Sequence, residues 1–187
     1  MKSQAWIHYG LAQLCSFFRH NQVAIEEYRQ SIDSDPDNAR SWRCMGFLQA
    51  QSAQHADAVE SLRKALDIDP TDANTRFNLG FILHEMNRVD AAIVEFEQVV
   101  ASSPVNDRAW YGLGLCLEQL GQLDKAVDAL KEAARIQYFN PHAGHRLAIL
   151  YHKLGRTEEL QAEFERVNSF DPKFGEQIRR ETGINPN

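Results

Sequence analysis

The sequence is poor in several features whose scarcity narrows its class. No apolar run approaches the roughly 18–20 residues of a membrane span, and the longest, Leu147 to Tyr151, is far too short. No span is therefore expected. There are only three cysteines, Cys15, Cys44 and Cys116, widely spaced and without a C-x-x-C pair, so they read as reduced, packed thiols. Basic residues are outnumbered, 20 against 26 acids, for a formal net charge of -6. That balance argues against nucleic acid, whose phosphates are held by clustered Lys and Arg. The chain has no G-x-S-x-G, no phosphate loop and no H-E-x-x-H, so neither an enzyme nor a bound cofactor is expected. The start, Met1 to Tyr9, lacks the charged, apolar and small-residue parts of an export signal. A cytosolic location is the default expectation, although an exported protein or a domain cut from a longer chain would carry the same pattern.

What the sequence has in abundance is repetition. Ala24, Ala58, Ala92 and Ala126 stand 34 residues apart, with Leu160 on the next step. Pro36, Pro70, Pro104 and Pro172 keep the same interval and miss one step at Tyr138. Small residues keep it at Ala12, Gly46, Gly80, Gly114 and Ala148, and large ones at Tyr28, Leu62, Phe96, Leu130 and Phe164. Cutting on this period gives five units, 5–38, 39–72, 73–106, 107–140 and 141–174, followed by a short capping segment, 175–187. Within each unit the apolar spacing of i, i+3, i+4, i+7 predicts two helices, and Asp-Pro closes the second at 35–36, 69–70 and 171–172. The small residues mark where the two helices cross closely. One hairpin cannot bury both faces, so neighbours must stack to make the core. The expected fold class is all-α, an α-solenoid.

The units resemble tetratricopeptide repeats. The second carries Trp42, Met45-Gly46, Ala58, Leu62, Ala65 and Pro70; the fourth carries Trp110, Leu113-Gly114, Ala126, Leu130 and Ala133. Tyr138, Gly144 and Leu160 depart from the family pattern, and Leu160 in a small-residue slot implies a slightly splayed last hairpin or one whose neighbour is trimmed to fit. The resemblance implies a right-handed superhelix whose first helices line a concave groove for peptides or partner proteins. Some members grip the acidic tail of heat-shock chaperones with a five-residue polar clamp. Here Arg43, Asn78 and Arg108 fit three of its slots, but Phe47 and Gly112 occupy the others, so that ligand is not expected.

With the first helices as groove lining, their exposed stripe includes Trp6, Tyr9 and Gln13; Arg40, Arg43 and Phe47; Asn74, Phe77, Asn78, Phe81 and His84; Arg108 and Tyr111; and His142, His145, Arg146 and His152. Trp6, Tyr9, Phe77 and Tyr111 read as groove aromatics. Phe47, Phe81, Leu115 and Ile149 sit where groove and inter-repeat core are equally compatible. First helices carry six basic against three acidic residues, and second helices carry ten against sixteen. That sorting predicts a basic groove that attracts an acidic ligand, with Arg40, Arg43 and Arg108 pointing at solvent. His142, His145 and His152 do not read as a metal site, because i to i+10 spans about 15 Å of helix. They read as a pH-sensitive groove end.

The expected function is a protein-interaction scaffold that binds a peptide or partner segment with acidic and apolar side chains. The rival is a structural module that forms homo-oligomers, Trp6 and Tyr9 of the first hairpin stacking head to tail on a thinly capped last one. The non-catalytic domain of a larger enzyme is the weakest of the three.

Overall fold

Each 34-residue period becomes two helices because its apolar residues recur at helical spacing and its ends carry capping and turn residues. A computed structural model describes residues 2–184; residues 185–187 of the expected cap lie outside them. The described residues form eleven helices and no strand: α1 (Lys2–Phe17), α2 (Asn21–Ser34), α3 (Ala39–Gln51), α4 (His55–Ile68), α5 (Ala73–Glu85), α6 (Val89–Ser102), α7 (Asp107–Gln119), α8 (Leu123–Ile136), α9 (Pro141–Lys153), α10 (Thr157–Phe170) and α11 (Pro172–Thr182). None of these helices is long and apolar enough to cross a membrane. The chain divides into two compact units, Met1–Glu95 and Phe96–Asn187.

In the first unit, α1 pairs with α2 and α3 with α4, while α2 packs on α3 and α4 on α5. Ala12, Ala24, Ile25, Tyr28, Ile32, Met45 and Leu48 form a common core there. The crossing of α3 and α4 needs glycine. A Cβ placed on Gly46 would stand 2.9 Å from Leu62 Cγ and 3.2 Å from the Ala58 carbonyl oxygen. The same relation recurs in the second unit, where a Cβ on Gly114 would stand 2.6 Å from Leu130 Cγ.

The turn inside each hairpin is built identically five times. Arg19, Ala53, Asn87, Gly121 and Gly155 all have φ between 57° and 73°, the left-handed region. The following N–H returns to the carbonyl five residues earlier, as from Gln54 to Gln49 at 2.8 Å and from Gln122 to Leu117 at 2.9 Å, which is the Schellman closure. The next first helix is then capped by Asn38, Asp72, Asn106 or Asn140, whose side chains accept backbone N–H groups of α3, α5, α7 and α9.

In the second unit, α7 pairs with α8 and α9 with α10; α8 packs on α9, and α11 packs on both α9 and α10. The α9–α10 pair is less closely packed than α1–α2, α3–α4 or α7–α8, as the leucine at 160 in place of alanine requires. The missing proline at Tyr138 is also offset. Trp42 and Trp110 donate their indole N–H to the carbonyls of Pro36 and Pro104, both at 2.9 Å, and Arg76 donates to that of Pro70. In the last hairpin Gly144 stands where those long side chains stand, and Arg166 from α10 enters the vacated space. Its guanidinium donates to the Tyr138 carbonyl at 2.5 Å and lies 5.0 Å from the Tyr138 ring centre.

Candidate functional site

In the first unit the stripe residues stand on α1, α3 and α5. Trp6 is 63% exposed and meets Tyr9 edge-on at 6.0 Å, and Tyr9 meets Tyr28 at 5.7 Å. Gln13 ties α1 to α2 and α3: its amide donates to Tyr9 Oη at 3.3 Å, to Tyr28 Oη and to Cys44 Sγ at 3.7 Å. Burial pushes both phenols above their ordinary value, with the nearby Cys44 adding to it.

Phe47 on α3 and Phe81 on α5, one period apart, are 46% and 51% exposed. Phe77, Asn78 and His84 are half-buried and Asn74 is exposed. A cleft of about 250 Å³ in this unit is lined by Ala39, Arg40, Arg43, Ala65, Asp69, Asp72 and Thr75.

Arg43 corrects the sequence reading. It does not point freely at solvent, because its guanidinium donates to Asp72 at 2.6 Å. Arg76 is likewise engaged, by Glu95 at 3.0 Å. Arg40 remains exposed.

In the second unit Arg108 is exposed and Tyr111 half-buried. Burial raises the Tyr111 phenol; Arg146 opposes this and Glu118 adds to it. Glu118, on the same stripe, sits 3.3 Å from Arg146 and 2.7 Å from Lys153. Four of the six basic side chains counted on the first helices are thus paired with acids, and the expected basic surplus is largely cancelled. For Arg43 and Arg76 the physical reason is that a count along one helix misses acids supplied by a neighbouring helix or turn, whereas Glu118 was already among the three acids counted.

The histidine end is altered as well. His145 bonds Glu181 at 2.9 Å, and both His142 and His145 meet the Phe174 ring edge-on, at 5.1 and 5.9 Å. Helix α11 therefore lies on these two residues, whereas His152 is exposed. Among the described residues no cluster of three or more His, Cys, Asp or Glu is placed to hold a metal ion. Leu115 and Ile149, one and two periods beyond Phe81, are half-buried. The acids Asp72, Glu95 and Glu181 had no place in the stripe read from sequence. Their signal was available only for Asp72, which shares the 34-residue step with the caps Asn38, Asn106 and Asn140.

Helical hairpins of constant period, close-packed at small residues and turned by one repeated left-handed residue, define a hairpin-repeat protein. The chain belongs to the tetratricopeptide repeat family: models of that repeat match residues 9–73 and 79–141, 49–104, and 143–174. No curated protein matches it in sequence. Among solved structures it is similar to the MamA protein, 22% identical with 100% of both chains covered and a TM-score of 0.86. It is also similar to YrrB, a TPR protein with an unusual peptide-binding site, 16% identical over 92% of this chain and 90% of that one, with a TM-score of 0.80. PilW, a type IV pilus biogenesis factor, is 24% identical over 96% of this chain and 86% of that one, with a TM-score of 0.76. At such identities the likeness concerns the fold, which is all-helical and built of tandem hairpins.

Proposed function

We propose that the chain is a non-catalytic interaction scaffold, and that the first-helix face of residues 1–95 binds a partner peptide. The observation that carries this is the pair Phe47 and Phe81, two large aromatics left about half exposed one period apart. A folded chain gains nothing internally from such exposure, whereas a peptide's apolar side chains would bury both rings. Arg40, two turns before Phe47 on α3, supplies a fork for one carboxylate. The ligand in this reading is an extended or helical segment with apolar side chains and at least one acid. In the second unit Glu118 and Glu181 already satisfy the cations, so Arg108 and Tyr111 contribute there more than His142, His145 or Arg146. The division into units 5–38, 39–72, 73–106, 107–140 and 141–174, with 175–187 as cap, is the modular frame of this proposal. YrrB is described with a peptide-binding site, so this fold holds peptides in at least one case.

An array of synthetic peptides, with and without acidic residues among apolar ones, tests this by fluorescence anisotropy. Acidic–apolar peptides should bind the parent and lose roughly tenfold or more with Phe47→Ser/Phe81→Ser. Equal binding of the same peptides by parent and double variant would exclude this face. A second reading, self-association, is favoured by a different observation, the exposed apolar outer face of α1.

A further inference from the structure

Helix α1 is the first helix of the first hairpin, and among the described residues no helix packs on its outer face. Ile7, Leu11 and Leu14 are 61%, 44% and 55% exposed. The residues one to four periods later, Ser41, Met45 and Leu48 through Ala143, Leu147 and Leu150, are all buried. The same register is therefore a packing face in every other unit. Unit one keeps this face apolar, where a capping repeat would carry polar residues. It keeps leucine at 11 and 14 and places isoleucine where the others carry Ser, Thr or Ala.

Gly10 belongs to this face and has no internal use. A Cβ there would meet nothing within 4 Å, so no close approach within the chain requires a residue that weakens a helix. It does leave room for another helix to approach.

We infer that the outer face of α1 is the interface of a closed, two-fold homodimer in which α1 packs antiparallel on α1 of a second copy. This rests on the self-association reading and specifies its geometry. The face is symmetric about the Gly10–Leu11 bond, so Ile7 of one copy meets Leu14 of the other while Gly10 and Leu11 meet at the axis, as an isologous contact demands. Charge favours the same occupant. From Ser3 to Phe18 there is no Asp, Glu, Lys or Arg, so two copies of a chain with net charge -6 meet here without like-charge repulsion. A lipid surface is disfavoured by the same absence, since helices that lie on membranes carry Lys and Arg along their polar flank. Head-to-tail stacking is disfavoured by the chain's other end. Helix α11 exposes Lys173, Gln177, Arg179, Arg180 and Glu181, a polar surface that does not match an apolar one.

Light scattering of the full chain over about 1 to 200 μM should show a mass that levels at twice 21.3 kDa. Ile7→Glu/Leu14→Glu should be monomeric with unchanged helicity and unchanged peptide binding, whereas Val105→Glu, at another exposed valine, should remain dimeric. Gly10→Leu, whose Cβ would meet nothing of its own chain within 4 Å, should weaken the dimer roughly tenfold or more. A parent that stays monomeric throughout would remove self-association altogether. A mass that climbs past the dimer without levelling, or a dimer that survives Ile7→Glu/Leu14→Glu, would keep self-association and overturn this geometry. A monomeric parent that sediments with phosphatidylcholine–phosphatidylserine vesicles would assign the face to lipid instead.

Discussion

Arg43 donates to Asp72 at 2.6 Å, and the same carboxylate accepts the N–H groups of Asn74 and Thr75 at the start of α5. One side chain thus caps a helix and holds an arginine that the sequence placed in solvent. Arg43→Glu sets two carboxylates together at this cap, so it should lower stability by about 1 kcal/mol or more. Arg40→Glu should stay within about 0.5 kcal/mol of the parent while weakening acidic peptides. Thermal melting beside anisotropy separates the two, and equal melting would show that the Arg43–Asp72 pair contributes nothing.

The same carboxylate makes the first unit acid-sensitive. Burial alone would raise the Asp72 pKa, but the hydrogen bonds from Arg43 and Thr75 outweigh it and hold the group below its ordinary 3.8. A depressed carboxylate stabilises the fold above its unfolded value and loses that contribution as pH falls through the lower folded one. Asp72→Asn should be less stable than the parent near neutrality, and the gap should close below about pH 4. A gap that is constant down to acid pH would show that Asp72 ionisation is not linked to folding.

The repeated left-handed turn predicts an unusual direction for one substitution. Ala53 has φ of 59° where Gly121 has 73°. Glycine adopts that region without strain, so Ala53→Gly should stabilise by about 0.5–1 kcal/mol, and Gly121→Ala should cost about 1 kcal/mol or more. Denaturant midpoints of the two variants give the signs directly.

At the α7–α8 crossing the cost has another origin. Gly114→Ala puts a Cβ 2.6 Å from Cγ of the fully buried Leu130, and it should cost about 1–3 kcal/mol by overpacking. Glu60→Ala, on the exposed side of α4, should stay within about 0.5 kcal/mol. Similar melting of both would contradict the close crossing.

The departures in the last hairpin show how far local pattern reaches. Tyr138, Gly144 and Leu160 were each visible as a mismatch, and Leu160 foretold the looser α9–α10 pair. That Arg166 fills the space beside Gly144 and serves the Tyr138 carbonyl was not visible, because it lies 28 residues from Tyr138 and breaks no pattern of its own. Phe47 and Ile149 occupy the same register and read alike in sequence, yet one is exposed and the other half-buried.

By itself the sequence determined the period, the two helices per period, the small residues at their crossings and the family, because each follows from spacing along one chain at i+3, i+4 or one full repeat. Tertiary structure alone decided which polar side chains of the first helices remain available. Their partners stand 29 residues away for Arg43, 19 for Arg76, 35 for Lys153 and 36 for His145. It also decided that Leu11 is exposed while Met45, Leu79, Leu113 and Leu147 in the same register are buried. A residue's register states which face it occupies. Whether another helix covers that face is a property of the assembled stack, and no spacing within the chain encodes it.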